Sequence, residues 1–274
     1  MNHKKNISIF ALAMMITGAV DGVGNLPNIA LFGPSLLFFF PLAMLLFLLP
    51  TAFISAELSK QYPDQAGVYL WTKKALGAQA GTLCAYLQWI NTLVYFPTLL
   101  STLAGTIAYL FWPSMAHQAW YLVLMSMSIF WVMTFVNLKG LEHSAKIASI
   151  GTFMGMIIPM VMIISLALLW LGLGYSHAIS LGPETILPHA KHHQNLSSLT
   201  AIITAFLGME LACVHIPKIK NASTIFPKAM LLAIVLIALT MGLGSLLVAL
   251  IIPHQKIVLV TGTIATFDTL FGAF

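Results

Sequence analysis

Asp21 and Glu210 are the side chains best placed to do chemistry, because they are acidic residues deep inside apolar segments of the sequence. At membrane depth, an ionised side chain on an isolated helix costs about 2.5–3.5 kcal/mol or more. Carboxyl groups in such positions usually face the interior of a helix bundle or a water-filled cavity, on the path of a substrate, an ion or a proton. The alternative for each residue is a purely structural carboxyl group that forms hydrogen bonds.

The two carboxyl groups lie in similar local sequences, each with a threonine and small residues before it and a proline about two turns after it. These residues are Thr17, Gly18, Ala19 and Pro27 around Asp21, and Thr204, Ala205, Gly208 and Pro217 around Glu210. Proline removes a backbone donor and clashes with the preceding turn, so both segments are predicted to be interrupted helices. Interrupted apolar segments at corresponding positions of two halves indicate the binding site of a transporter.

An interrupted helix offers chemistry without charged side chains. The new N-terminus presents free N–H groups at the positive end of the helix dipole, and the other broken end presents free carbonyl groups. Two facing breaks can therefore hold the carboxylate and the ammonium group of a zwitterion. The sequence thus predicts that an almost charge-free site can select amino acids.

The elements that must position this site are membrane-spanning helices. The chain has 274 residues, of which 59% are hydrophobic and only 7% are charged, whereas soluble domains carry roughly 25% charged residues. A spanning helix needs about 20 mostly apolar residues. Seven apolar segments meet or approach that length, at 7–33, 35–57, 79–112, 118–138, 147–173, 197–216 and 229–252. We therefore expect an all-α integral membrane protein.

The lysines predict the orientation in the membrane. All twelve basic residues are lysine, which gives no support for nucleic-acid binding, where arginine dominates. With the N-terminus inside, ten lysines lie on the inner side and two on the outer side, which is a strong positive-inside bias. The inner lysines are Lys4, Lys5, Lys60, Lys73, Lys74, Lys139, Lys146, Lys218, Lys220 and Lys228, and the outer ones are Lys191 and Lys256.

Other functional classes lack their motifs. No Walker loop, Ser/His/Asp arrangement or metal-ligand spacing stands out, so we expect neither an ATP-driven pump nor an enzyme, and no cofactor or metal. The histidines at 189, 192 and 193 indicate a solvated outer loop, because Lys191 between them repels a cation. Cys84 and Cys213 lie in apolar segments and are expected to be small buried hydrophobic residues.

Three stretches resemble the amino acid–polyamine–organocation superfamily of amino-acid permeases. They are Ala56, Glu57 and Leu58 with Pro63, Gly67, Tyr69 and Gly77; Ala205 to Glu210 with Lys220, Asn221 and Pro227; and Asn137, Leu138, Lys139 and Gly140. The first is similar to an AEL…P…GG-Y…G signature with Ala66 in place of one glycine, and the second to the broken sixth helix and the loop after it. The sequences around Pro27 and around Gln88 and Trp89 look closest to the bacterial glutamate/γ-aminobutyrate antiporter branch.

This resemblance implies a fold of two inverted repeats of five helices, with helices one and six broken. Residues 1–173 would form the first repeat and residues 197–252 the first two helices of the second, so the chain is expected to be truncated after helix seven. The resemblance also implies a substrate site in which the backbone around Val20, Asp21 and Gly22 holds the substrate carboxylate. Thr204, Phe206 and Glu210 would line and gate it, and Trp89 and Tyr95 on helix three are further candidates.

The resemblance implies secondary active transport of amino acids, by exchange or proton coupling, across the plasma membrane of a bacterium with the N-terminus in the cytoplasm. Asp21 departs from the small residue of the family and carries the same charge as a substrate carboxylate. Anionic substrates are therefore expected only if Asp21 is protonated. The alternative is a truncated or split membrane protein that does not transport alone and needs a homodimer or a second chain with the missing helices.

Overall fold

The structure is a computed structural model that describes residues 7–62, 67–116, 118–175, 178–179, 182–187, 194–257 and 262–273. The described chain is built from helices. They are α1 (Ile9–Val20), α2 (Asn25–Ala30), α3 (Gly33–Gln61), α4 (Val68–Leu76), α5 (Ala78–Phe111), α6 (Ala119–Leu138), α7 (Leu141–Thr152, continued by Phe153–Ile157 and Ile158–Gly172), α8 (Pro183–Ile186), α9 (Gln194–Ala205), the 3₁₀ segment Met209–Lys218, α10 (Ala222–Ile251) and α11 (Gly262–Ala273). Two short 3₁₀ turns lie at Pro113–Met115 and His254–Lys256.

The helix lengths confirm a multi-spanning, all-helical membrane protein. Within the described residues, six helical stretches are long and apolar enough to cross a membrane. They are Gly33–Gln61, Ala78–Phe111, Ala119–Leu138, His143–Gly172, Leu199–Pro217 and Ala222–Ile251. The first apolar segment of the sequence is divided instead into the shorter helices α1 and α2.

The chain forms two compact units, one of residues 1–64 and 148–274 and the other of residues 65–147. In the first unit, α1 packs against α10 and the 3₁₀ segment, while α2 packs against the second half of α10. One of its apolar clusters includes buried side chains of α2, α7, α10 and α11, among them Leu26, Ala30, Met160, Ile163, Leu247 and Leu270. The first helix, its break and the sixth segment therefore lie in one unit.

The second unit contains α4, α5 and α6. Gly77 separates α4 from α5 with a φ of +91°, a conformation that glycine adopts without strain. Helix α5 continues through Pro97 without interruption. No residue of α6 is buried, and its exposed apolar side chains suit a lipid-facing helix.

Three helices contain a π-helical turn, at Met44–Leu48 in α3, Phe153–Ile157 in α7 and Ala238–Leu243 in α10. The first two turns end two residues before Pro50 and Pro159, and a wider turn relieves the clash of a proline ring with the preceding carbonyl group. The turn in α10 has no proline after it. Isolated π-turns are frequent at functional sites.

Candidate functional site

The first helix breaks at Asp21. Helix α1 ends at Val20, and Asp21 takes an extended conformation (φ −111°, ψ 150°), with its N–H group donating to the carbonyl oxygen of Thr17 at 2.7 Å. The chain turns at residues 22–24, where the N–H group of Asn25 donates to the carbonyl oxygen of Gly22 at 2.8 Å. The last turn of any helix leaves carbonyl groups without intrahelical partners. The break therefore places polar backbone inside an apolar segment.

The sixth segment breaks at Gly208. Helix α9 ends at Ala205, and the turn that follows reaches Gly208, whose φ is +115°. Its N–H group donates to Oε2 of Glu210 at 3.3 Å. Glu210 is half-buried at the start of the 3₁₀ segment, so its carboxylate caps the turn that begins there.

The two breaks meet through their backbones. A Cβ atom added to Gly208 would lie 2.8 Å from the carbonyl oxygen of Ala19, which is closer than a real Cβ atom can approach. Both the positive φ and this close contact therefore require glycine at position 208. On the other side of the first break, Cβ atoms added to Gly22 and Gly24 would meet nothing within 4 Å. The joined breaks consequently border open space.

Asp21 is buried and is hydrogen-bonded to a side chain of α10. Only 4% of its surface is exposed, and its Oδ2 accepts a hydrogen bond from Oγ1 of Thr240 at 2.6 Å. Oδ1 is also buried and has no hydrogen-bond partner among the described residues. Thr240 lies in the π-turn of α10 and is 3% exposed. Sequence reasoning missed Thr240, although Thr240 and Ser245 are the polar side chains between positions 229 and 252.

The other candidates at the two breaks differ in what they contact. Val20 is buried at the end of α1, beside Asp21 and Gly22. Phe206 is fully buried, and its ring meets Phe40 edge to face at a centroid distance of 5.2 Å. Thr204 is exposed, and its hydroxyl group donates to the carbonyl oxygen of Thr200 at 2.8 Å. Phe206 therefore packs inside the first unit, while Thr204 is open to its surroundings.

Trp89 and Tyr95 are the remaining candidates. Both lie on α5 in the second compact unit, with exposed fractions of 54% and 49%. Their rings pair with neighbours on the same helix, Trp89 with Tyr86 at 5.9 Å and Tyr95 with Phe96 at 5.8 Å. Their assignment to the substrate site stays a prediction.

Nothing in the described part of the chain is arranged as a metal centre. No group of three or more histidine, cysteine, aspartate or glutamate side chains among the described residues could hold an ion. Cys213 is a free, fully buried thiol, and Cys84 is a free thiol with intermediate exposure. The histidine cluster at 189–193 lies outside the described residues.

Comparison with known proteins identifies the family to which the sequence is similar. The family model for amino acid permeases matches residues 7–274. An uncharacterised transporter of Legionella pneumophila is 35% identical over 275 residues, which cover 100% of this chain and 59% of the relative. A glutamate/γ-aminobutyrate antiporter of Lactococcus lactis subsp. cremoris is 28% identical over 276 residues, covering 100% of this chain and 55% of the relative. A cadaverine/lysine antiporter of Escherichia coli K12 is 27% identical over 257 residues, covering 90% and 55%. The chain thus spans little more than half the length of these relatives.

Proposed function

The chain belongs to the amino acid permease family, and we propose that it carries the two broken helices of a secondary active transporter that moves amino acids by exchange or proton coupling. The observation that supports this proposal most directly is the contact between the breaks, where Gly208 lies against the carbonyl group of Ala19. Polar backbone from two helices is thereby concentrated at one place inside apolar segments.

The proposed substrate site is the backbone around Val20, Asp21 and Gly22, together with Glu210 and Thr204 across the joined breaks. The open space beside Gly22 supports this placement, because a substrate must reach the backbone groups. In this arrangement, N–H groups of the first break hold the substrate carboxylate, and carbonyl groups hold its ammonium group. Asp21 disfavours a second carboxylate on the substrate whenever Asp21 is ionised.

The lysine distribution supports the proposed orientation, with the N-terminus in the cytoplasm and residues 174–196 outside. The relatives are bacterial, so we place the protein in a bacterial inner membrane. The chain spans only 55–59% of these relatives. Transport of amino acids is therefore a proposal for this chain, and the alternative is a truncated or split membrane protein that does not transport alone and needs a second copy or a second chain.

Exchange in proteoliposomes tests the proposal. The purified chain is reconstituted into vesicles loaded with unlabelled glutamate, γ-aminobutyrate, lysine or cadaverine, and uptake of the same labelled compounds is measured. These compounds are chosen because relatives of the chain are named for them. Saturable uptake that depends on the internal compound supports the proposal.

Matched glycine variants make the result specific to the breaks. We expect Gly208→Ala to abolish exchange, because the added methyl group separates the two breaks. Gly151→Ala should retain exchange, because Gly151 is exposed on α7 and its added Cβ meets nothing within 4 Å. A folded chain without saturable exchange would contradict transport by this chain alone and favour the alternative.

A further inference from the structure

The hydroxyl group of Thr240 has one hydrogen and two acceptors within hydrogen-bonding distance. Its Oγ1 lies 2.6 Å from Oδ2 of Asp21 and 2.7 Å from the carbonyl oxygen of Leu236. A hydroxyl group donates one hydrogen bond at a time but can accept as well. Both short contacts are therefore satisfied together only if Asp21 supplies a hydrogen to Thr240.

The protonation state of Asp21 decides which arrangement forms. If Asp21 is ionised, Thr240 donates to Oδ2, and its contact with Leu236 carries no hydrogen. If Oδ2 carries a proton, the carboxyl group donates to Thr240, and Thr240 donates to Leu236. The heavy atoms need not move between the two arrangements. When Oδ2 of Asp21 gains or loses a proton, rotation of the Thr240 hydroxyl group is therefore enough to keep the two side chains hydrogen-bonded.

We propose that Asp21 and Thr240 form a proton-binding site between α1 and α10, in which Asp21 carries the proton and Thr240 positions it. The biological role of this site rests on the proposed transport function, in which the bound proton would be the coupling ion. It assigns the proton to Asp21 and leaves Glu210 with a capping and gating role.

Few charged side chains lie on the elements packed against α1. Among the elements packed against α1, the 3₁₀ segment carries Glu210, Cys213, His215 and, at its far end, Lys218. Helix α10 carries the exposed Lys228, and residues 148–172 of α7 carry no ionisable side chain. Within the described residues, no ion pair involves Asp21. A buried carboxylate without a counter-charge takes up a proton rather than remain ionised in an apolar environment.

In the proposed site, carbonyl groups hold the ammonium group of the substrate, and those at the end of α1 would bring this cation close to Asp21. The break borders the open space beside Gly22, next to Asp21 in the chain. A cation held there stabilises the ionised carboxylate, so substrate binding releases the proton. This gives exchange of a proton for a substrate cation without a second ionisable residue.

The π-turn of α10 places Thr240 for this role. The turn has no proline to explain it, and it is held against α3, because a Cβ atom added to Gly242 would lie 2.6 Å from the ring of Phe40. Glu210 differs from Asp21, since it is half-buried and already accepts a hydrogen bond from the N–H group of Gly208. Glu210 therefore provides the matched control carboxyl group.

Infrared difference spectroscopy of the purified chain in nanodiscs tests the site directly. The carbonyl stretch of a protonated carboxyl group is recorded as the pH is raised from about 5 to about 9, a range in which exposed carboxyl groups are ionised. We expect a protonated band that disappears at high pH in the wild-type chain and in Glu210→Gln. The band should be lost at every pH in Asp21→Asn.

Variants of Thr240 distinguish a role in positioning the proton on Asp21 from a general loss of structure. Thr240→Val should shift the band frequency and raise proton affinity about tenfold, because the ionised form loses the stronger hydrogen bond. Thr240→Ser retains the hydroxyl group and should titrate as the wild type does. A band that survives in Asp21→Asn, disappears in Glu210→Gln or is unchanged in Thr240→Val overturns the proposal. The measurement needs no transport, so a chain that shows this titration without exchange refutes only the proposed function.

Discussion

Replacing Gly208 by alanine tests whether the two helix breaks depend on direct backbone contact. The added Cβ atom would lie 2.8 Å from the carbonyl oxygen of Ala19, which belongs to the backbone and cannot rotate away. In addition, the φ of +115° at position 208 is strained for any residue with a side chain. Strain of this kind costs about 1–3 kcal/mol, and overpacking costs a similar amount. We therefore expect Gly208→Ala to lower the free energy of unfolding by about 2–4 kcal/mol.

A thiol-reactive fluorescent dye measures this loss in detergent. Cys213 is fully buried in the 3₁₀ segment that follows Gly208. In a Cys84→Ser background, which removes the partly exposed thiol, labelling of Cys213 reports the unfolding of this region. For a chain of this size, a loss of about 2–4 kcal/mol corresponds to a decrease in Tm of roughly 4–16 °C. Gly151→Ala is the control, and its Tm should be equal to or slightly above that of the wild type. Equal melting temperatures for Gly208→Ala and the wild type would show that the breaks do not touch as described.

Three further predictions use the same purified chain. Gly18→Ala should lower Tm, because its Cβ atom would overlap Oγ1 of Thr152, and adding Thr152→Ala should recover part of the loss. A double variant that recovers none of the loss would contradict this contact. Phe206→Ala should lower the free energy of unfolding by about 3–5 kcal/mol, because it leaves a cavity, whereas Phe206→Leu should lower it much less. An unchanged stability of Phe206→Ala would contradict the burial of Phe206. In a background without the native cysteines, an impermeant thiol reagent applied outside should label cysteine at His189 and spare cysteine at Lys73, whereas the reverse pattern would invert the proposed orientation.

The sequence alone determined the class of the protein and the places where its helices break. The low charge and the long apolar runs dictate membrane-spanning helices, because water cannot solvate such a surface. Buried carboxyl groups near glycine and proline identify Asp21 and Glu210 as special positions. These properties are local, so each can be recognised within a window of about 20 residues. The family motifs are local as well, and the family they indicated is confirmed.

The tertiary structure alone decided which of these residues face one another. Asp21 and Thr240 are separated by 219 positions, and no periodicity in the sequence pairs them. The contact of Gly208 with Ala19 and the burial of Phe206 against Phe40 are equally remote in sequence. Such pairings depend on how α1, α10 and the 3₁₀ segment pack, which is set by the fit of many side chains at once. The membrane environment requires the apolar segments to form helices, whereas packing among the helices determines which group each polar side chain contacts.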